Sequence, residues 1–231
     1  MDLRHGIAAE SIAGMELPLR LKDATPLAKG GSRLVFGHPD HPNLLVKVLR
    51  PDGVMRARKS VFTPLAHLRR YDPYLVYLRE IREYISGCAG PGGSPRFLEK
   101  VRGLVETDLG LGLVTEAALD EQGRLAPTLA QLISDGKFHG EAEEAFERFA
   151  EDLLGCDVVI SDLHERNLVY AMGRDGRKSF WLIDGLGSSA LLPFKNWSHW
   201  LNDRSKRKRI ARLRRRMVRR LETVPGARDQ G

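Results

Sequence analysis

Cysteine is nearly absent from this chain: Cys88 and Cys156 are the two in 231 residues. Two isolated thiols build neither a disulfide framework nor a zinc site, and they fit a reducing compartment. A nucleophilic Cys156, six residues before Asp162, has no base placed beside it by any local pattern, so both thiols are expected to be buried or inert. Also missing is any stretch near the roughly 18 to 20 unbroken apolar residues that span a bilayer. The opening Met1-Asp2-Leu3-Arg4-His5 leads into no apolar signal region, which makes the cytoplasm the expected setting. No internal repeat or low-complexity segment is visible, which argues against solenoid and disordered classes.

Acid is absent from one segment in particular. Between Arg204 and Arg220 stand 11 Lys or Arg and no Asp or Glu, whereas the rest of the chain carries 26 basic against 30 acidic residues. The net charge of +7 therefore belongs to one segment on a mildly acidic body, and partner arguments from charge apply to that segment alone.

With 42% hydrophobic residues the chain can build one large domain or two packed lobes. After a lead-in over residues 1–14, Leu17, Leu19 and Leu21 alternate with Pro18, Arg20 and Lys22 as on a half-buried strand. Gly30-Gly31 interrupts before Leu34-Val35-Phe36. The turn-like Gly37 to Asn43 then leads into Leu44-Leu45-Val46-Lys47-Val48-Leu49, a buried strand. Arg50 to Arg70 is basic and weakly patterned. Pro73 to Ser86 has Leu75, Leu78, Ile81, Tyr84 and Ile85 at helical spacing, with Gly87 and Gly90 as stops. Strand-like runs near Phe97 to Val105 and Gly112 to Ala118 complete a five-stranded sheet with one helix.

Pro127 suits the first turn of a helix through Leu129, Leu132 and Ile133. A second helix is expected over Glu141 to Leu154, where Ala145, Phe149 and Leu153 fall at four-residue steps behind an acidic start that complements the helix dipole. Asn167 to Ala171 and Ser179 to Ile183 flank Arg174-Asp175-Gly176-Arg177, a hairpin signal.

The chemistry gathers around that hairpin. Asp162-Leu163-His164-Glu165-Arg166-Asn167 precedes it, and Asp184-Gly185 ends its second strand. Magnesium takes hard oxygen ligands and keeps phosphate oxygens in its shell, so Asp184 and Asn167 form a candidate metal pair. Phosphoryl transfer also needs a carboxylate to orient the incoming hydroxyl and take its proton, a role open to Asp162.

In these residues the chain resembles the protein-kinase-like superfamily: an Asp with an Asn five places on as catalytic loop, and Asp184-Gly185 where the family's magnesium-binding Asp stands. Leu-His after Asp162 looks closer to aminoglycoside and choline phosphotransferases than to protein kinases. The order Lys29 to Phe36, Glu80 to Tyr84, Glu106-Thr107-Asp108-Leu109-Gly110, Ser161-Asp162-Leu163 and Ile183 to Gly187 is similar to the YrbL family of PhoP regulatory network proteins, over roughly residues 17–220. The resemblance implies a two-lobed α+β fold, with a five-stranded antiparallel sheet lobe carrying one helix and a reduced helical lobe. It implies ATP and Mg2+ as cofactors and a hydroxyl-bearing acceptor of unidentified structure. Asp162 and Asn167 would be catalytic, Asn167 and Asp184 metal-binding. Gly30, Gly31, Val35, Lys47, Glu80, Glu116 and Ala118 would line the nucleotide, with Lys47 on the α- and β-phosphates and Val35 over the adenine.

A lysine on a buried strand needs an anionic partner, and Glu80 is the first choice with Glu83 second. Thr115 to Ala118 is either the hinge that bonds adenine or a plain strand end. His164 is a ligand or relay, or more simply a residue packed under the loop. Departures from the protein-kinase pattern are clear. Ala28 and Arg33 stand where two glycines of the phosphate loop belong. No Ala-Pro-Glu element follows Asp184, so the usual protein-substrate platform is missing.

The expected organisation is a lead-in over 1–14, a sheet lobe over 15–118, a helical lobe over 119–203 and a basic helix and tail over 204–231. The basic helix has two readings. It closes the second lobe through Ile210, Leu213, Met217 and Leu221, the favoured one, or it binds an anionic partner, nucleic acid or lipid, between Arg204 and Arg220. The leading function is an ATP-dependent phosphotransferase. Its rivals are a catalytically weak nucleotide-binding regulator and a nucleic-acid or anionic-membrane binding module.

Overall fold

A computed structural model describes residues 18–50, 74–90, 93–173, 175–186 and 199–223. The lead-in over 1–14, the basic stretch after Arg50, Trp197 and the tail after 223 lie outside the described residues. Strands β1 (Ala28–Lys29), β2 (Arg33–Gly37), β3 (Leu44–Leu49), β4 (Val101–Thr107) and β5 (Gly110–Glu116) form a five-stranded antiparallel sheet in the order β1-β2-β3-β5-β4. Helix α1 (Leu75–Ala89) separates β3 from β4 in sequence. Helices α2 (Leu129–Ser134) and α3 (Glu141–Leu154), the hairpin β6 (Leu168–Met172) and β7 (Lys178–Leu182), and helix α4 (His199–Thr223) follow. The fold is mixed α+β. Among the described residues no helix is long and apolar enough to cross a membrane.

The chain divides into two compact units, Met1–Ala66 with Arg102–Thr115 and His67–Val101 with Glu116–Gly231. In the first, Leu19, Leu21, Phe36, Val46, Val48, Val105 and Val114 form the core. Its packing is tight enough that a β-carbon on Gly112 would stand 2.7 Å from Val46 Cγ1, so β5 crosses β3 at a residue that has none. The alternation around Leu19 and Leu21 predicts a strand, but the structure differs. Leu19 makes one parallel bridge to Thr107, and Asp108 Oδ1 accepts the Leu21 N–H at 2.8 Å. Alternation reports only that Leu19 and Leu21 are buried, and a loop pinned by a side chain satisfies that as well as a ladder does. The short β1, at Ala28–Lys29, takes the place beside β2 instead.

The second unit is built on Phe97, Leu129, Ile133, Phe146, Phe149, Leu153, Leu168, Phe180 and Leu182 with Ile210, Leu213 and Met217 of α4. Phe146 meets Phe180 edge to face at 6.1 Å between ring centroids. α3 occupies the range its four-residue apolar steps predict. α2 starts two residues later than the proline rule suggests. Thr128 is its N-cap, accepting the Gln131 N–H at 3.2 Å while Gln131 Oε1 accepts the Thr128 N–H at 2.7 Å, and Pro127 lies just outside. The favoured reading of the basic segment as a packed helix agrees with α4, whose apolar stripe is buried.

Candidate active site

The β6–β7 hairpin sets the geometry. Leu168 pairs with Leu182 at its open end, and beyond that pair the Ile183 N–H donates to the Asn167 carbonyl at 3.0 Å. Asn167 and Asp184 therefore flank the same end of one ladder, although 17 positions apart in sequence. A tight turn precedes Asn167, whose N–H bonds the His164 carbonyl at 2.9 Å.

Asp162 is brought to the same end by a crossing of backbones. Ile160 bridges Leu186, and one oxygen, the Gly185 carbonyl, accepts three donors: Ser161 N–H at 2.8 Å, Ser161 Oγ–H at 3.0 Å and Asp162 N–H at 3.2 Å. Gly185 adopts φ +87°, and a β-carbon there would overlap the Asp162 carbonyl oxygen. The side chains extend the junction: Asp184 Oδ1 accepts the Gly185 N–H at 2.6 Å, and Asn167 Nδ2 donates to the Asp162 carbonyl at 3.4 Å. Asp162 is exposed, while Asn167 and Asp184 are half-buried. An amide whose nitrogen faces Asp162 turns its oxygen away, so Asn167 Oδ1 and the Asp184 carboxylate are hard oxygen donors of the kind a divalent cation takes. Among the described residues no group of three or more His, Cys, Asp or Glu is disposed to hold a metal ion unaided. The donor set fits a cation that completes its shell with phosphate and water oxygens.

Behind this loop stands α4, a support that sequence reasoning missed. Lys206 donates to the Cys156 carbonyl, Asn202 Nδ2 to the Asp157 carbonyl at 3.0 Å, Arg209 to the Ser161 carbonyl, and Arg216 Nη2 to the Leu163 carbonyl at 2.6 Å. Glu165, buried within the loop, faces Arg220 Nε at 3.3 Å and Arg216 Nε at 3.6 Å. Burial, then the neighbouring Arg212, pulls the Arg209 guanidinium below its ordinary range, with Asp162 acting in the opposite direction. A signal existed: Lys206, Arg209, Arg216 and Arg220 flank the apolar stripe Ile210, Leu213 and Met217 at helical spacing, so they share its inward side.

The remaining candidates fall as follows. In the first unit Val35 and Lys47 are partners across β2 and β3, on the face opposite Phe36, Val46 and Val48. Lys47 is 4% exposed. Gly30 and Gly31 form the β1–β2 turn, where the Gly30 N–H bonds the Arg33 carbonyl at 2.8 Å and neither glycine takes a positive φ. Arg50 Nη1 donates back to the Gly30 carbonyl at 3.3 Å. In the second unit Glu80 and Glu83 are both buried on α1, and Glu83 Oε2 accepts the Val159 N–H at 3.0 Å. The Glu116 N–H bonds the Lys100 carbonyl, and the Ala118 carbonyl accepts from Ala126, both at 2.9 Å, so those two hinge groups are occupied. His164 is partly exposed rather than packed away, and its Nδ1 accepts the Arg166 N–H at 3.3 Å. Burial pushes the Cys156 thiol above its ordinary value, opposite to what a nucleophile requires. A cavity of about 740 Å³ in the second unit, lined by Arg96, Phe149, Asp152 and Trp181, includes none of the candidate residues.

Residues 19–218 match a family model described as PhoP regulatory network protein YrbL. The uncharacterized protein YrbL of Escherichia coli (strain K12) is 23% identical over 187 residues, covering 79% of this chain and 80% of that one. The protein of the same description from Shigella flexneri matches to the same extent.

Proposed function

Because the chain belongs to the YrbL family of PhoP regulatory network proteins, and because one hairpin collects Asp162, Asn167 and Asp184, we propose that it is a kinase-like protein that binds ATP and magnesium and phosphorylates a hydroxyl acceptor. The junction at Gly185 is the observation that supports this best. It holds three oxygen-bearing side chains at one end of the β6–β7 ladder through backbone bonds.

Magnesium-ATP, when bound, supplies an electrophilic phosphorus whose developing charge the metal offsets. This chain's own residues do the rest. Asp184 and Asn167 Oδ1 hold the metal. Asp162, exposed beside them, accepts the hydrogen bond of the acceptor hydroxyl, fixes its direction and takes its proton on a carboxylate oxygen. Lys47 binds the α- and β-phosphates, Val35 covers the adenine, and Gly30-Gly31 lies along the phosphates. Within the second unit Glu83 is engaged by the Val159 N–H. Adenine bonding at 116–118 falls to backbone groups other than the Glu116 N–H and the Ala118 carbonyl.

A second reading, a nucleotide-binding regulator with negligible transfer, is favoured by the β1–β2 turn. Arg33 is buried at a position where the phosphate loop would carry glycine, and Arg50 ties down the Gly30 carbonyl. Titration calorimetry with ATP, with and without magnesium, beside an ATP-hydrolysis assay separates the readings when run on the wild type and Asp184→Ala. Metal-dependent binding and turnover that both disappear in Asp184→Ala carry the first. Binding without turnover in the wild type carries the second, and no binding at all overturns both.

A further inference from the structure

The eleven cations between Arg204 and Arg220 are sorted by α4 into two populations. One is engaged by the chain itself. Lys206, Arg209, Arg216 and Arg220 hold the Cys156 to Glu165 segment, while Arg207 pairs with Asp203 at 3.1 Å and Arg214 pairs with Glu147. The other is Arg204, Lys208, Arg212, Arg215 and Arg219. All five are exposed, and among the described residues none of them has an ion pair.

Their spacing is four, four, three and four residues, which on an α-helix is a single ridge. At 100° per residue the ridge lies on the side opposite Ile210, Leu213 and Met217, the stripe buried in the core. It runs about 22 Å along the axis, with a cation every 5 to 6 Å or so. One turn before it, Trp200 is 68% exposed, and the Arg204 guanidinium stands 5.8 Å from its ring centroid. A row of like charges at these intervals destabilises an isolated helix. Two other exposed arginines of α4, Arg207 and Arg214, face the carboxylates of Asp203 and Glu147, and among the described residues the ridge has no such pair.

We propose that this ridge is a binding surface for single-stranded nucleic acid, with successive phosphates on Arg204, Lys208, Arg212, Arg215 and Arg219 and a base stacked on Trp200. The inference is independent of the phosphotransferase reading. Four of the five cations are arginines, whose planar forks match phosphate oxygens bidentately. An exposed indole beside a cationic track is the arrangement that holds an unpaired base without reading its sequence. An anionic membrane fits less well. A helix that docks on lipid presents its apolar face outward, and the apolar face of α4 is inside the second unit.

The test is fluorescence anisotropy of the full chain with labelled 20-nucleotide oligouridine, in a salt series, beside sedimentation with phosphatidylglycerol vesicles. The wild type should bind the oligonucleotide with a log–log salt slope of about −3 to −4, the value for five single-strand phosphate contacts. Replacing all five ridge residues with Gln should abolish binding at 100 mM salt without lowering the thermal midpoint, because these side chains face solvent and their mutual repulsion is removed. Arg207→Gln with Arg214→Gln, which removes two exposed but engaged cations, should leave the slope unchanged. Trp200→Ala should weaken binding by about fivefold or more at constant slope. If the five-site variant does not fold, Lys208→Glu alone should weaken binding roughly three- to tenfold. Binding that survives the ridge replacements, a slope lost equally in the Arg207/Arg214 control, or attachment to vesicles with none to the oligonucleotide overturns the proposal.

Discussion

Gly185 and Asp162 meet backbone to backbone, so closely that a β-carbon at position 185 would overlap the Asp162 carbonyl oxygen and stand 3.0 Å from its carbon. The contact couples the residue after the metal candidate Asp184 to the base candidate Asp162. It is made at φ +87°, where side chains are strained even in open space.

Gly185→Ala is accordingly expected to destabilise the protein by about 3 kcal/mol or more, because clash and backbone strain act together. Urea denaturation of the variant measures this. A loss below about 1 kcal/mol would mean that the two loops separate easily and that the site is not held as described.

Asp162→Ala and Asn167→Ala should divide by function. The first leaves metal-dependent ATP affinity nearly unchanged and lowers kcat by about a hundredfold or more, since the base acts on the acceptor. The second raises the magnesium concentration needed for half-maximal binding. Calorimetry and turnover on the two variants, with a magnesium titration, check the split. Equal losses of ATP binding in both would unseat Asp162 from its role.

Arg209 bonds the Ser161 carbonyl, and its charge interacts with Asp162, so it acts on the site as a positioning residue. Replacement by Met keeps much of its packing and removes the donor. We expect kcat to fall roughly tenfold to a hundredfold from a misplaced Asp162, while ATP affinity stays near wild type. Parallel losses in affinity and kcat would show general unfolding instead.

Glu165 is 3% exposed in its side chain and faces two arginines that are 33% and 38% exposed. Complete burial of such a group would make its removal cost about 3–5 kcal/mol. Because both cations retain water, Glu165→Ala is expected to cost about 1–3 kcal/mol. Thermal unfolding measures it, and the loss should shrink in Glu165→Gln, which keeps an acceptor.

Asp108 offers a pH test. The Leu21 N–H, then the Lys22 N–H, hold its carboxyl below the usual carboxylate range. A carboxyl depressed in the folded state adds stability above its unfolded pKa, about 4, and loses it as pH falls through the lower folded value. The gap in melting temperature between wild type and Asp108→Asn should therefore be full at pH 6 and close progressively below about pH 4. A gap independent of pH would show that the charge of Asp108 plays no part.

Much of this architecture is legible in the sequence where the signal is local. α3 follows from Ala145, Phe149 and Leu153 behind three glutamates. β3 follows from an apolar run broken only by Lys47, and the β6–β7 hairpin from Asp175-Gly176 between two apolar stretches. The approach of Asn167 to Asp184 is readable for the same reason, since a short turn fixes which residues lie side by side, whereas Asp162 arrives through the backbone crossing at Gly185.

What is not readable depends on partners distant in sequence. Arg209 meets Ser161 across 48 positions and Arg216 meets Leu163 across 53, and helical spacing places both on the inward side of α4 without saying which carbonyl each will meet. The strand expected around Leu19 and Leu21 fails differently. Burial periodicity was present without a ladder, because Asp108 supplies the bonds that a neighbouring strand would have made.

Glu83 has a mechanical consequence. Its carboxylate grips the peptide nitrogen of Val159, three residues ahead of Asp162, from a helix that also carries Glu80. The grip acts as a tie rod: a displacement of α1 is transmitted along a buried linkage to the segment that delivers Asp162. Within this unit the glutamate helix and the aspartate loop cannot drift apart without first stranding a backbone donor away from water.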